Sequence, residues 1–187
     1  MANLIVYKSN TGFTKHYVDS LERRVLPCEV VEVSKLKKDH IKKADAIFYG
    51  GPLKNNVIEG VDKLLKHHKL FGDKDVFIFC TGIQPLDDDK RTNVINANGL
   101  SFYHVRLYIY PGGMDISKMS PLKQKIMKLG MKKAMSSGQV PEGVTEEMIE
   151  QRLSTPINLV RTEEMDRMID VYHMSKLRKK ANAAQNG

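Results

Sequence analysis

Short apolar runs alternate with amphipathic stretches along most of the chain. Asn3 to Lys8 is a compact apolar run and predicts a strand. Phe13 to Leu26 places Tyr17, Val18, Leu21 and Val25 on one helical side, and Pro27 ends the pattern. Cys28 to Val33 alternates in the manner of an edge strand. Ala44 to Tyr49 predicts a buried strand closed by Gly50-Gly51-Pro52. Val57 to Leu70 has helical spacing through Val57, Val61, Leu64 and Leu65. Val76 to Thr81 is a fully apolar strand ending at Gly82. Asp87 to Asn98 predicts a short helix and Phe102 to Tyr110 another strand. Glu163 to Lys180 predicts a final helix with Met165, Met168, Ile169 and Tyr172 turned inward.

Strand and helix in alternation imply an α/β fold: a doubly wound, five-stranded parallel sheet with helices on both faces. Ligands of such folds bind beyond the carboxyl ends of the strands. The segments to inspect are therefore 9–14, 50–56, 81–88 and 111–117. One stretch breaks the rhythm. After the fifth strand come helical patterns at Pro121 to Met135 and Thr145 to Leu153, joined through Ser136-Ser137-Gly138-Gln139-Val140-Pro141. This reads as a helical insertion at about 112–155 in a single domain spanning 1–175, with 176–187 a basic, flexible tail. Thr155 to Leu159 is expected to resume the sheet.

Composition narrows the classes. Of 187 residues, 41% are apolar and 28% charged, which excludes a mainly disordered chain. No apolar run has the length of a membrane-spanning helix. The start carries neither a basic leader nor a cleavage pattern, so no export signal is expected. Cys28 and Cys80 lie in strand-like runs and lack the spacing of a metal site or redox pair, as expected of a reduced, cytoplasmic protein. Thirty Lys and Arg against 22 Asp and Glu give a net charge of +8. Lys118, Lys123, Lys125, Lys128, Lys132 and Lys133 follow one another with no acid between, and Lys176, Arg178, Lys179 and Lys180 cluster near the end. Such charge attracts anionic partners without choosing among them.

Candidate chemistry concentrates after the first strand. In Ser9-Asn10-Thr11-Gly12-Phe13-Thr14, three hydroxyls and a glycine lead into a helix. Backbone N–H groups at a helix start, with the helix dipole behind them, favour an anion. The same residues also serve a plain N-cap and turn. No G-x-G-x-x-G and no P-loop lysine motif is present, which favours a terminal monophosphate over a nucleoside triphosphate.

Ser9-x-Thr11-Gly12-x-Thr14 resembles the FMN-phosphate signature of flavodoxins. Gly50-Gly51-Pro52-Leu53 and Thr81-Gly82-Ile83-Gln84 are similar to the loops that flank the isoalloxazine ring there. Gly112-Gly113-Met114-Asp115-Ile116-Ser117-Lys118-Met119, followed by a basic helical insert, looks like one branch: the flavodoxin-type, menaquinone-linked protoporphyrinogen oxidases and their uncharacterised flavodoxin-domain relatives.

The resemblance implies strand order 2-1-3-4-5 and noncovalent FMN. It implies FMN contacts from Ser9, Asn10, Thr11, Gly12, Phe13, Thr14, Gly50, Gly51, Pro52, Leu53, Thr81, Gly82 and Ile83. The implied function is an FMN oxidoreductase moving electrons between a hydrophobic reduced substrate, protoporphyrinogen IX being the sharpest guess, and a quinone-like acceptor. The alternative is an electron carrier between redox proteins. The flavin carries the chemistry, so no catalytic side chain and no metal is assigned.

Residue by residue, Gly50, Gly51 and Gly82 can supply positive φ and close backbone approach. The chain has no Trp, no aromatic residue in 50–56 or 81–88, and a basic balance, all of which point away from a low-potential carrier. Asp87-Asp88-Asp89 fits a helix start better than a metal site. Tyr103, Tyr108 and Tyr110 beside Arg106 fit a sheet strand better than a stacking surface, and no motif supports a nucleic-acid partner. In Pro121 to Met135, Lys125, Lys128 and Lys132 share one face. Leu122, Ile126, Met127, Gly130, Met131 and Ala134 cover the opposite arc. That helix either packs on its own domain or lies peripherally on an anionic membrane. Its methionines, with Met119 and Met135, would suit a flat, greasy substrate.

Overall fold

The computed structural model describes residues 2–83, 88–137 and 145–185. Its strands are β1 (Ala2–Tyr7), β2 (Cys28–Glu32), β3 (Ala44–Lys54), β4 (Val57–Ile58), β5 (Asp75–Gly82) and β6 (Val105–Pro111), followed by β7 (Gly113–Met114) and β8 (Ile157–Asn158). The helices are α1 (Phe13–Arg24), α2 (Lys38–Lys43), α3 (Val61–Leu65), α4 (Asp88–Ala97), α5 (Pro121–Ser136), α6 (Glu146–Ser154) and α7 (Asp166–Gln185). Five strands pair in parallel in the order β2-β1-β3-β5-β6. Counting only these, the order is the expected 2-1-3-4-5, a doubly wound α/β sheet.

A parallel strand covered on both faces needs an unbroken apolar run, because each successive side chain meets a different core. Leu4 and Val6 enter the core beneath α2, α3 and α4, with Ile47, Tyr49, Ile78, Leu64 and Val94. Ile5 faces the other way, with Phe48, Phe77, Phe79, Tyr17, Met168 and Tyr172, beneath α1 and α7. There Phe48 stacks on Phe77 at 4.9 Å, and Tyr172 meets Phe48 edge-on at 5.3 Å. Each such side chain contributes on the order of 1.5–3 kcal/mol by leaving water.

The amino end of the sheet is closed by paired polar groups. The Asn3 side-chain amide donates to Val25 O and to Tyr172 Oη, and its backbone N–H donates to Pro27 O. Asp75, opening β5, accepts from Ser175 Oγ and Arg106 at 2.7 Å and from Lys179 at 2.9 Å. Burial pushes this carboxyl up, but the three donors outweigh it and hold it below its ordinary range.

Several segments depart from the sequence-based expectation. β3 does not end at Tyr49; it runs to Lys54 and turns back into β4. The helix expected over Val57 to Leu70 is therefore β4, the short α3 and a 3-10 turn at His68–Leu70. Asn55 and Asn56 take φ of +49° and +65°, the left-handed pair that tight hairpins require. The fifth parallel strand starts at Val105, after a 3-10 turn at Leu100–Phe102. Ile157–Asn158 does not resume the main sheet; it pairs antiparallel with β7 in a separate ribbon. The basic tail expected at 176–187 is helical as far as Gln185, and Lys179 within it clamps Asp75.

Candidate functional site

The loop from Lys8 to Gly12 leaves β1 at its carboxyl end and enters α1. Gly12 is the N-cap, at φ +94°, and no side chain caps the helix. The first ladder bond runs from His16 N–H to Gly12 O, so the amides before it precede the helical ladder. The space where a Gly12 Cβ would project is empty. Ser9 Oγ is buried and has no hydrogen-bond partner. A buried hydroxyl without a partner costs roughly 1–3 kcal/mol unless water or a ligand completes it; the Tyr110 hydroxyl, in the aromatic core, is buried without a partner in the same way. Thr11 is half-buried in the same loop as Ser9.

The other predicted residues divide. Thr14 is buried, and its hydroxyl bonds the Thr81 hydroxyl at 2.8 Å, tying the α1 entry to the end of β5. Phe13 packs its ring on Gly113, where a Cβ would fall 2.4 Å from ring atoms. The Asn10 amide donates to Glu59 Oε2 at 2.6 Å, and Lys8 pairs with the same oxygen at 3.3 Å. Glu59 was not anticipated. It lies just past β4, on the hairpin, and its backbone carbonyl accepts the Tyr49 hydroxyl at 2.6 Å. The hairpin thus leans on the phosphate-type loop.

Gly50 and Gly51 do not provide positive φ; they sit inside β3 in ordinary strand pairing. Their need for glycine is steric. A Cβ on Gly50 would lie 2.2 Å from the Phe79 ring, and one on Gly51 2.9 Å from Glu59 O. Gly82 likewise stays in β5 pairing, where a Cβ would lie 3.6 Å from Leu53. Leu53 and Pro52 are half-buried and Ile83 is 45% exposed, so this wall is aliphatic. Gln84 and Asp87 lie outside the described residues.

A fourth loop completes the rim. Gly112 N–H donates to Gly82 O at 2.7 Å, and Leu159 N–H donates to Gly112 O at 2.8 Å. Asp115, buried, accepts from Ser117 N–H and Oγ and pairs with Lys118; these contacts, led by the Ser117 hydroxyl, hold its carboxyl below the ordinary range. Cys80, next to Thr81, is fully buried, and desolvation pushes its thiol up to about 12. Cys28 is also a free thiol, half-buried and raised by burial.

The arrangement can take an anion on the Ser9–Gly12 loop and a flat group against Pro52, Leu53 and Ile83. Among the described residues no group of three or more His, Cys, Asp or Glu converges. The phosphate end of a mononucleotide fits, because an unpartnered hydroxyl and an uncapped helix start face one loop.

A family model described as "Flavodoxin domain" matches residues 4–139. No curated protein matches the chain. Among solved structures, a flavodoxin from the domain Archaea is 17% identical, over 59% of this chain and 85% of its own, with a TM-score of 0.43. Two-electron reduced Megasphaera elsdenii flavodoxin is 20% identical, over 57% and 83%, at 0.43. A flavodoxin, WrbA-like protein from Agrobacterium tumefaciens is 15% identical, over 66% and 88%, at 0.47. Identities and scores this low leave function open.

Proposed function

This chain belongs to the flavodoxin-domain family, which implies a flavin cofactor, and from that we propose an FMN-dependent oxidoreductase. The observation that carries the proposal is the partnerless Ser9 hydroxyl beside the uncapped, left-handed Gly12 start of α1. Ser9, Thr11 and the loop amides hold the phosphate. Pro52, Leu53 and Ile83 bound the ring and keep water from it. FMN when bound supplies the electron chemistry, and the protein supplies position and surroundings.

On this reading the electron donor is a hydrophobic reduced compound such as protoporphyrinogen IX, and the acceptor is quinone-like. Support comes from the insertion. Leu122, Ile126 and Leu129 lie along one side of α5 and are 69%, 60% and 57% exposed, so they do not pack on the protein's own sheet. Lys125, Lys128 and Lys133 are exposed on the same helix; the side chains of Lys123 and Lys132 lie outside the described residues. No helix among the described residues is long and apolar enough to cross a membrane. A helix of this kind binds at the surface, each lysine adding on the order of 1 kcal/mol near anionic lipid. On this reading the protein works in the cytoplasm, in part peripherally on the membrane through α5. The competing reading, an electron carrier between redox proteins, is favoured by the family match alone.

Titration with FMN tests the core of the proposal: a bound-flavin spectrum is expected, weakened in Thr11→Ala and Gly12→Val. Failure of both FMN and FAD to bind at micromolar concentration ends it. Anaerobic reduction by candidate donors, then reoxidation by menadione or by protein acceptors, separates the two readings. Flotation on anionic against neutral liposomes tests the surface helix; unaltered binding after Lys125 and Lys128 become Gln removes it.

A further inference from the structure

β6 is the edge of the main sheet away from β2, and among the described residues no strand covers its outer side. Between Val105 and Tyr110, among the described residues, the one backbone bond made outside the sheet runs from Val105 N–H to Tyr103 O. An open edge of this kind is a row of unpaired donors and acceptors.

A hollow runs along that edge and is lined from both faces of the sheet. Arg91 and Ile95 come from α4, Arg106 and Tyr108 from β6, Arg167 from α7, and Tyr103 closes one end. Asp88 is the one acid among the lining residues. Burial pushes the Tyr108 phenol up, and the charges of Arg106, Arg167 and Arg91 draw it partly back, so all three guanidinium groups act on one point. Arg106 is paired with Asp75 at 2.7 Å. Arg91 and Arg167 are exposed and have no hydrogen-bond or ion-pair partner among the described residues. Phe102, 89% exposed, stands between Ser101 and Tyr103, both of which line the hollow.

We propose that this groove docks an extended acidic segment of a partner protein, added to β6 as a further strand. Two free guanidinium groups, one on each side of the strand line, call for carboxylates. Ile95 and Tyr103 on the α4 face and Tyr108 on the α7 face receive apolar side chains from both sides of a pleated segment. A nucleic acid or a free phosphate would satisfy the arginines, but neither carries the alternating N–H and C=O groups that a strand edge pairs with. A segment seated here ends, at the carboxyl end of β6, beside the Pro111–Gly113 turn of the candidate site. The proposal does not rest on the flavin reading.

The test uses the isotope-labelled chain without added flavin and a short capped peptide repeating Glu-Glu-Val-Val, which puts carboxylates and apolar side chains on both faces of the strand. Amide signals of Val105–Ile109 should shift on titration at up to millimolar peptide. The same peptide with lysine in place of glutamate should bind at least tenfold more weakly. So should the acidic peptide N-methylated at alternate residues. Arg91→Glu with Arg167→Glu should weaken binding at least tenfold, with Arg91→Gln and Arg167→Gln as the milder pair if charge reversal disturbs the spectrum. No binding at millimolar peptide, shifts confined to other elements, or indifference to N-methylation would overturn the proposal. Binding of a single-stranded oligonucleotide or inorganic phosphate at the same arginines, with no peptide effect on β6, overturns it in favour of an anion site.

Discussion

Asn3 and Asp75, at the amino end of the sheet, are each held by two or three partners, whereas Ser9, at the carboxyl end, is buried with none. Both ends are built on the same strands and enclosed by the same two cores. The difference lies in where polar groups are completed from within. At the amino end each donor finds an acceptor in the chain, and the strands are stapled to α1 and α7. At the carboxyl end the chain leaves a hydroxyl and a helix start open, which costs stability unless a ligand arrives. The contrast is local to these groups: Thr14 and Thr81 pair with each other at the carboxyl end, and the Tyr110 hydroxyl, beside Tyr17 in the aromatic core, is buried without a partner as Ser9 is.

The largest expected effect blurs that division, because it comes from a scaffold position at the site end. Gly50→Ala drives a Cβ toward the ring of Phe79, which is itself fully buried. The expected loss is about 3 kcal/mol in urea denaturation, with flavin affinity falling only as the fold does. A stable Gly50→Ala protein that has lost flavin would instead make Gly50 a cofactor contact. Next comes Asn3→Ala, which strands Val25 O and leaves the Tyr172 hydroxyl only its contact with Lys176. It should cost about 2 kcal/mol in the same measurement and leave flavin titration unchanged.

Asp75→Asn should cost about 1 kcal/mol at neutral pH, after allowing for solvent screening of Arg106 and Lys179. The folded carboxyl is held below its ordinary value, so its stabilisation is fully present above about pH 4. It is lost as pH falls through the lower, folded value. Urea midpoints of wild type and variant should therefore converge below pH 4, and a constant gap across pH 7 to 3 would mean the carboxyl acts by packing. The smallest stability effect belongs to Ser9→Ala: within about 0.5 kcal/mol of wild type, or slightly stabilising, since an unpaired hydroxyl is removed. Its flavin affinity should drop about tenfold. If Ser9→Ala destabilises as much as Asn3→Ala, the contrast between the two ends fails.

The strand order was legible because runs such as Leu4-Ile5-Val6 and Val76 to Cys80 must be apolar throughout to meet a core on each face. The loop from β1 into α1 was legible because it is local: hydroxyls, glycine and helix start lie within six consecutive residues. The hairpin was not. Val57, Val61, Leu64 and Leu65 fit a helical period, yet Asn55-Asn56 before Val57-Ile58 is the turn signal that overrides it. Glu59 had no signal at all, since its contact with Asn10 spans 49 residues and depends on that turn. Gly50 was expected to give backbone freedom, but what the structure demands of it is space: the partner that excludes its side chain, Phe79, is on a neighbouring strand. The outward stripe Leu122, Ile126, Leu129 was likewise beyond reach, because periodicity gives an apolar side but not what lies against it.

Cys80 has a chemical consequence of its own. A thiol pushed to about 12 keeps roughly one part in 100,000 as thiolate at pH 7, and thiolate is the form that oxidants and alkylating agents attack. It sits beside Thr81, two residues before the end of β5 at Gly82. Burial within the core beneath α4 makes this sulfur a durable filler, closed to oxidants and alkylating agents while the fold is intact.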